Sequence, residues 1–119
     1  MPTSVVYQIL GPADFESLRE AYEVYEEAIW PSERKTFAAL RTMLARADYR
    51  FALARDHGGS NAVVGVGVLF VAADFGLMEY LAVAPARRSA GVGSGLFRYG
   101  AGLVPGPVLV EVDLPEAAA

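Results

Sequence analysis

The chain has 119 residues, 54% hydrophobic and 20% charged, which suits one folded domain and excludes a disordered composition. A net charge of −4 and a pI near 4.9 weigh against a nucleic-acid surface, and the absence of cysteine excludes disulfides, thiol catalysis and zinc–thiolate sites. One histidine leaves little room for a metal cluster, no apolar run approaches the roughly 20 residues of a membrane helix, and Met1-Pro2-Thr3-Ser4 shows no secretory leader. The expectation is a single cytoplasmic domain over residues 1–119 with no metal, membrane or nucleic-acid partner.

In chain order, Ser4 to Leu10 reads as a first strand, stopped by Gly11-Pro12. Phe15, Leu18, Tyr22, Tyr25 and Ile29 recur at spacings of three and four, and this predicts a helix with that face inward. Asp14 is its expected N-terminal cap or first-turn acid, and Pro31 its stop. Phe37, Leu40 and Leu44 predict a shorter helix over residues 36–46. Strands are expected at Tyr49 to Arg55, Ala62 to Ala72 and Leu77 to Val83, the last interrupted by Glu79. His57-Gly58-Gly59-Ser60-Asn61 and Ala73-Asp74-Phe75-Gly76 read as the turns between them, with His57 a surface turn residue. Short connections make these three strands an antiparallel meander, and Gly65 and Gly67 mark a bulge or a close neighbour. Pro85 to Ala90 reads as a loop. Gly91 onward, with Leu96, Phe97, Tyr99 and Leu103, reads as a helix broken by Pro105-Gly106-Pro107, and Val108 to Val112 as a last strand. The order is β-α-α-β-β-β-α-β, a mixed α/β fold whose last strand returns parallel to its neighbour.

The stretch from Glu79 to Leu96 carries the chemistry. A strand delivers the chain to Gly91-Val92-Gly93-Ser94-Gly95, which opens a helix. The first turn of a helix has unpaired N–H groups and partial positive charge, and glycine lets an anion approach backbone without a Cβ in the way. This pattern is suited to a phosphate or pyrophosphate, with Arg87 and Arg88 at its rim. A dinucleotide fingerprint needs a third glycine where Leu96 stands, and a P-loop needs lysine and Ser/Thr after its last glycine; neither fits.

Arg88-Ser89-Ala90-Gly91-Val92-Gly93 resembles the Q/R-x-x-G-x-G/A signature of the GNAT acetyltransferase superfamily. Leu81-Ala82-Val83-Ala84-Pro85 is similar to that family's fourth strand and following loop, and the element order matches its core. The resemblance implies acetyl-CoA as donor and a primary amine of a small molecule or amino group as acceptor. It implies that the amides of Arg88, Ser89, Ala90, Gly91, Val92, Gly93 and Ser94 hold the pyrophosphate. The backbone of Leu81, Ala82 and Val83, splayed from a fifth strand at Val108 to Asp113, is then expected to pair with the pantetheine arm and polarise the thioester carbonyl. Many members place a glutamate on the fourth strand as base. Glu79 is the only acid there, is expected on the side of Leu77, Leu81 and Val83, and is expected to have its pKa raised by its apolar setting. Two departures stand out: Ser89 replaces the commoner glycine, and the family's final helix and two strands have no counterpart after the fifth strand. The chain is therefore read as a short member, with its last strand an uncovered edge inviting a homodimer.

The junction of the first two helices borders the acceptor site in the family, so Glu26 and Glu33 are expected to attract a cationic amine and Trp30 to form a wall. A solvated acidic face is the plainer account of the acids. Arg87 reads as a solvated charge, Tyr80 as packing, and one of Glu111 and Asp113 as a candidate for the acceptor channel. A non-catalytic CoA-binding or assembly module stands as the alternative to an enzyme.

Overall fold

A computed structural model describes residues 4–88 and 90–110. Its elements run β1 (Ser4–Ile9), α1 (Phe15–Ala28), α2 (Phe37–Leu44), β2 (Tyr49–His57), β3 (Val63–Val71), β4 (Gly76–Val83), a 3-10 turn (Pro85–Arg87), α3 (Val92–Ala101) and β5 (Val108–Val110). The five strands form one sheet in the order β1-β2-β3-β4-β5, antiparallel except for the parallel pair β4–β5. The predicted mixed α/β order is the observed one.

Alternation along β2 explains the layering. Phe51 and Leu53 face α1 and α2, in a core with Leu18, Ala21, Tyr25, Leu40, Val66 and Val68. Ala52 and Ala54 face the other way, against Val92 and Leu96 of α3. Small residues on that face let α3 approach closely: a Cβ added at Gly65 would lie 2.7 Å from Leu96 Cδ1. Gly65 also follows a bulge, because Ala54 pairs with Gly65 and Arg55 with Val63, leaving Val64 as the extra residue. Both expectations for the β3 glycines meet here.

The helix ends follow their caps. Asp14 Oδ1 accepts from Ser17 N–H at 3.2 Å, and Thr36 Oγ1 from Ala39 N–H at 3.1 Å. Thr36 is thus the cap of α2 and not its first residue. Helix α1 ends at Ala28, with Ile29 already extended, so Pro31 lies beyond the stop it was expected to make. Phe15, expected inward, is 43% exposed and lies under the Arg41 guanidinium, while Ala21 and Val24 are buried instead. His57 ends β2 and does not open the turn. The expected loop at Pro85 begins with a 3-10 turn, and α3 ends at Ala101, so Leu103 lies beyond it and is exposed. β5 is described through Val110; the rest of the strand expected to Asp113, with Glu111, lies outside the described residues.

Candidate active site

β4 is paired differently along its two edges. Towards β3 it is paired from Gly76 to Val83, whereas towards β5 the described pairing covers only Gly76, Leu77 and Met78. Among the described residues, the outer edge of β4 from Glu79 to Val83 therefore has no strand partner. Leu81 is the one exposed residue of the strand. The N-terminus of α3 sits over this edge: a Cβ added at Gly93 would lie 3.5 Å from Val83 Cγ2 and 4.0 Å from Leu81 Cδ2.

The turn before α3 is shaped by Gly91, whose φ of 85° is the left-handed conformation that glycine adopts without a Cβ clash. Gly91 is the N-cap and supplies no side chain to satisfy the helix start. Gly95 N–H is the first to be capped, by Gly91 O at 2.9 Å; among the described residues the N–H groups of Gly91, Val92, Gly93 and Ser94 have no acceptor. Arg88 N–H and Ala90 N–H instead close the preceding turn onto Pro85 O and Arg87 O. The open cradle is accordingly narrower than the full signature; Ser89 lies outside the described residues. Arg88 is exposed and its Nε donates to Val83 O at 3.2 Å, tying the loop to the end of β4. Arg87, expected to be solvated, is ion-paired with Asp56 at the end of β2 and mostly covered. Gly95 serves packing: a Cβ there would run into the Tyr7 ring and hydroxyl of β1.

Glu79 sits at a bulge. Val68 pairs with Tyr80 and Leu69 with Met78, so Glu79 is the extra residue on β4. This overturns the simple alternation expected along the strand. Met78, Leu81 and Val83 take the α3 side, while Tyr80 and Ala82 join the α1–α2 core. Glu79 points to the α1–α2 side, where Tyr49 of β2 donates its hydroxyl to Glu79 Oε2 at 2.8 Å. Glu79 thus shares the side of Leu77, which pairs with Phe70 and so lies on the Tyr49 face, but not that of Leu81 or Val83. Burial first, and then the bond to Glu79 and its charge, push the Tyr49 phenol up to about 12, so Tyr49 is a donor throughout the neutral range.

A cavity of about 180 Å³ opens beside this point, lined by Ile29, Trp30, Glu33, Glu79, Tyr80, Leu81 and Val110. Trp30 and Glu33 of the α1–α2 connection meet Glu79, more than forty residues further along the chain, at the edge of β4 that has no strand partner among the described residues. Trp30 is 69% exposed, an indole held at the rim. Tyr80, besides packing edge-on against Tyr25 with ring centroids 5.2 Å apart, donates its hydroxyl to Glu33 O at 3.3 Å and so ties the α1–α2 connection to β4. Glu26 is not part of the lining: it faces Arg34 at 3.9 Å, and Arg34 also donates to Ile29 O. A larger cavity of about 410 Å³, lined by Leu10, Pro12, Leu44, Arg46, Tyr49 and Arg50 among others, lies where β1 ends and β2 begins, and contains none of the expected site residues. No group of acids and histidines able to hold a metal occurs among the described residues.

Residues 15–106 match the acetyltransferase (GNAT) family. The chain belongs to the GNAT acetyltransferase family. Its fold is shared with solved structures of low identity. An aminoglycoside acetyltransferase from an uncultured soil metagenomic sample, in complex with sisomicin, is 16% identical, with 92% of this chain and 78% of that chain covered and a TM-score of 0.72. A ribosomal-protein-alanine N-acetyltransferase from Brucella melitensis biovar Abortus 2308 is 15% identical over 95% of this chain and 85% of that one, with a TM-score of 0.72. The aminoglycoside N-acetyltransferase AAC(6′)-Iy, in complex with CoA, is 16% identical over 99% and 82%, with a TM-score of 0.73. No curated protein sequence matches significantly. As a GNAT acetyltransferase the chain is an enzyme of acyl transfer. No helix among the described residues is long and apolar enough to cross a membrane.

Proposed function

We propose that the chain is, as one domain, an N-acetyltransferase that moves an acetyl group from acetyl-CoA to a primary amine. The observation that carries this is the coincidence of two backbone surfaces without partners among the described residues: the edge of β4 beyond Met78 and the first-turn amides of α3 above it. The amides of Gly91 to Ser94 suit the pyrophosphate, with the helix dipole and Arg88 adding positive charge. The outer edge of β4 along Leu81, Ala82 and Val83 suits an extended amide-containing arm that adds to the sheet as a strand would.

The acceptor belongs in the cavity of Trp30, Glu33 and Glu79. Two carboxylates beside an indole face attract an ammonium group. Glu79 takes the proton of that ammonium, the freed nitrogen attacks the thioester carbonyl carbon, the new C–N bond replaces the C–S bond, and CoA leaves as thiolate. An N–H of the open β4 edge lies in the right class of position to hold the carbonyl oxygen as charge develops on it. The same proposal places the enzyme in the cytoplasm with its donor. It assigns the outer edge of β5, where Leu109 and Val110 are 55% and 43% exposed, to a second copy of the chain.

The test is calorimetry with CoA followed by thiol release from acetyl-CoA over an amine panel that includes sisomicin and an alanine-terminated peptide. Turnover of one of these amines is expected, with Glu79→Gln losing about 10²–10⁴-fold in kcat while keeping its affinity for CoA. No CoA binding at millimolar concentration overturns the proposal. CoA binding without turnover of any amine overturns it in favour of a non-catalytic CoA-binding module.

A further inference from the structure

We propose that Tyr49 is the positioning residue of the active site, holding Glu79 in place through its hydroxyl, an inference that rests on Glu79 being the base. A bulge residue has no cross-strand neighbour opposite it, so β3 does not fix the direction of the Glu79 side chain. The fixed point comes from β2 instead, two strands away, through the 2.8 Å bond from Tyr49 Oη to Glu79 Oε2. Glu79 Oε1 makes no hydrogen bond among the described residues, so one oxygen is anchored and the other is left to accept the amine proton.

Tyr49 is itself immobilised, as a positioning group must be. Its ring meets Phe70 edge-on, with centroids 5.6 Å apart, and the Arg46 guanidinium lies 5.1 Å from its centroid on the other contact. Arg46 is in turn held by Asp48 through two bonds, Nε to Oδ1 at 2.9 Å and Nη2 to Oδ2 at 2.7 Å. The titratable and charged groups around Glu79 are therefore Tyr49 from β2, Arg46 and Asp48 from the α2–β2 connection, Glu33 from the α1–α2 connection and Tyr80 from its own strand. Among them Tyr49 donates its hydroxyl to Glu79 and fixes where that carboxylate sits.

The experiment uses the free protein, labelled with carbon-13 at the glutamate carboxyl carbons, the Glu79 signal being identified by its loss in Glu79→Gln. Tyr49→Phe keeps the ring and its packing. It is expected to shift that signal at neutral pH, where the lost hydrogen bond is read directly, with unchanged CoA affinity and thermal midpoint showing that the fold is intact. With the amine that turns over, kcat falls about tenfold while KM for acetyl-CoA does not change. A signal or a kcat that stays at the wild-type value overturns the role of Tyr49. The two levels of failure separate: Glu79→Gln turning over as fast as wild type removes the base assignment and this role with it, whereas an inactive Glu79→Gln beside an unmoved Tyr49→Phe removes only the role of Tyr49.

Discussion

At Gly95 the lack of a side chain is a packing requirement and not a phosphate contact. The Tyr7 ring lies against the helix at that point and stacks on Tyr99 with centroids 5.7 Å apart, so moving it aside gives up that contact. Gly95→Ala is expected to cost about 1–3 kcal/mol in urea unfolding through overpacking. In a Tyr7→Ala background the same change is expected to be neutral or stabilising, because alanine favours a helix over glycine by about 1 kcal/mol once the obstruction is gone. An equal cost in both backgrounds would mean that strain elsewhere is responsible. Nothing in the run of glycines from Gly91 to Gly95 separates the one that shapes the turn from the one that makes room for β1. Glu79 poses the same difficulty: the sequence singles it out as the lone acid of an apolar strand, but the bulge that turns it towards Tyr49 depends on a register set by β3. Tyr49, thirty residues earlier, carries no local signal of its part in the site.

At the scale of elements, α3 is the working part. Its start is open among the described residues because Gly91 caps it with geometry alone, and β4 beneath it leaves room at Gly93 for one carbon in ordinary contact with Val83. Gly93→Ala is therefore expected to fold and to bind CoA as the wild type does. Gly93→Phe is expected to fold but to weaken CoA binding by at least tenfold, about 1.4 kcal/mol, because the ring fills the space over the open amides. Calorimetry on both variants checks this, and undiminished binding by Gly93→Phe would move the diphosphate seat elsewhere. Periodicity marked all three helices, since each buries one stripe against one sheet face. It placed their ends less well: the 3-10 turn at Pro85 and the early stop of α3 at Ala101 are decided by turn bonding among short segments.

For the whole molecule, the tyrosines that join the layers set a limit at high pH. Tyr25 is almost wholly buried and its phenol is pushed up to about 12, first by burial and against the opposing bond from Lys35 N–H; Tyr49 is also pushed up to about 12, again by burial first. Burial favours the neutral phenol, so the folded state holds these protons more tightly than the unfolded chain, whose tyrosines titrate near 10. Their contribution to stability is complete below about pH 10 and is lost as pH rises from there to about 12. Urea midpoints measured from pH 8 to 12 are expected to fall over the upper half of that range, together with late phenolate absorbance. Two phenols titrating near 10 in the folded protein would contradict the packing of the α1 layer against β2 and β4.

Composition, the order of elements, the meander and the glycine-opened last helix are local properties, written in hydrophobic period and turn chemistry, and the chain declares them unaided. The glycine-capped start of the last helix was legible too, because a glycine cap brings no side chain to the first amides whatever surrounds it. The convergence of the site was not. That Trp30 and Glu33 reach Glu79 while Glu26 turns to Arg34, that Arg87 is neutralised by Asp56, and that the described β4–β5 pairing covers only the first three residues of β4 all follow from distances between segments far apart in the chain. Such distances depend on strand register and on how closely α3 can approach, and a single bulge residue changes both.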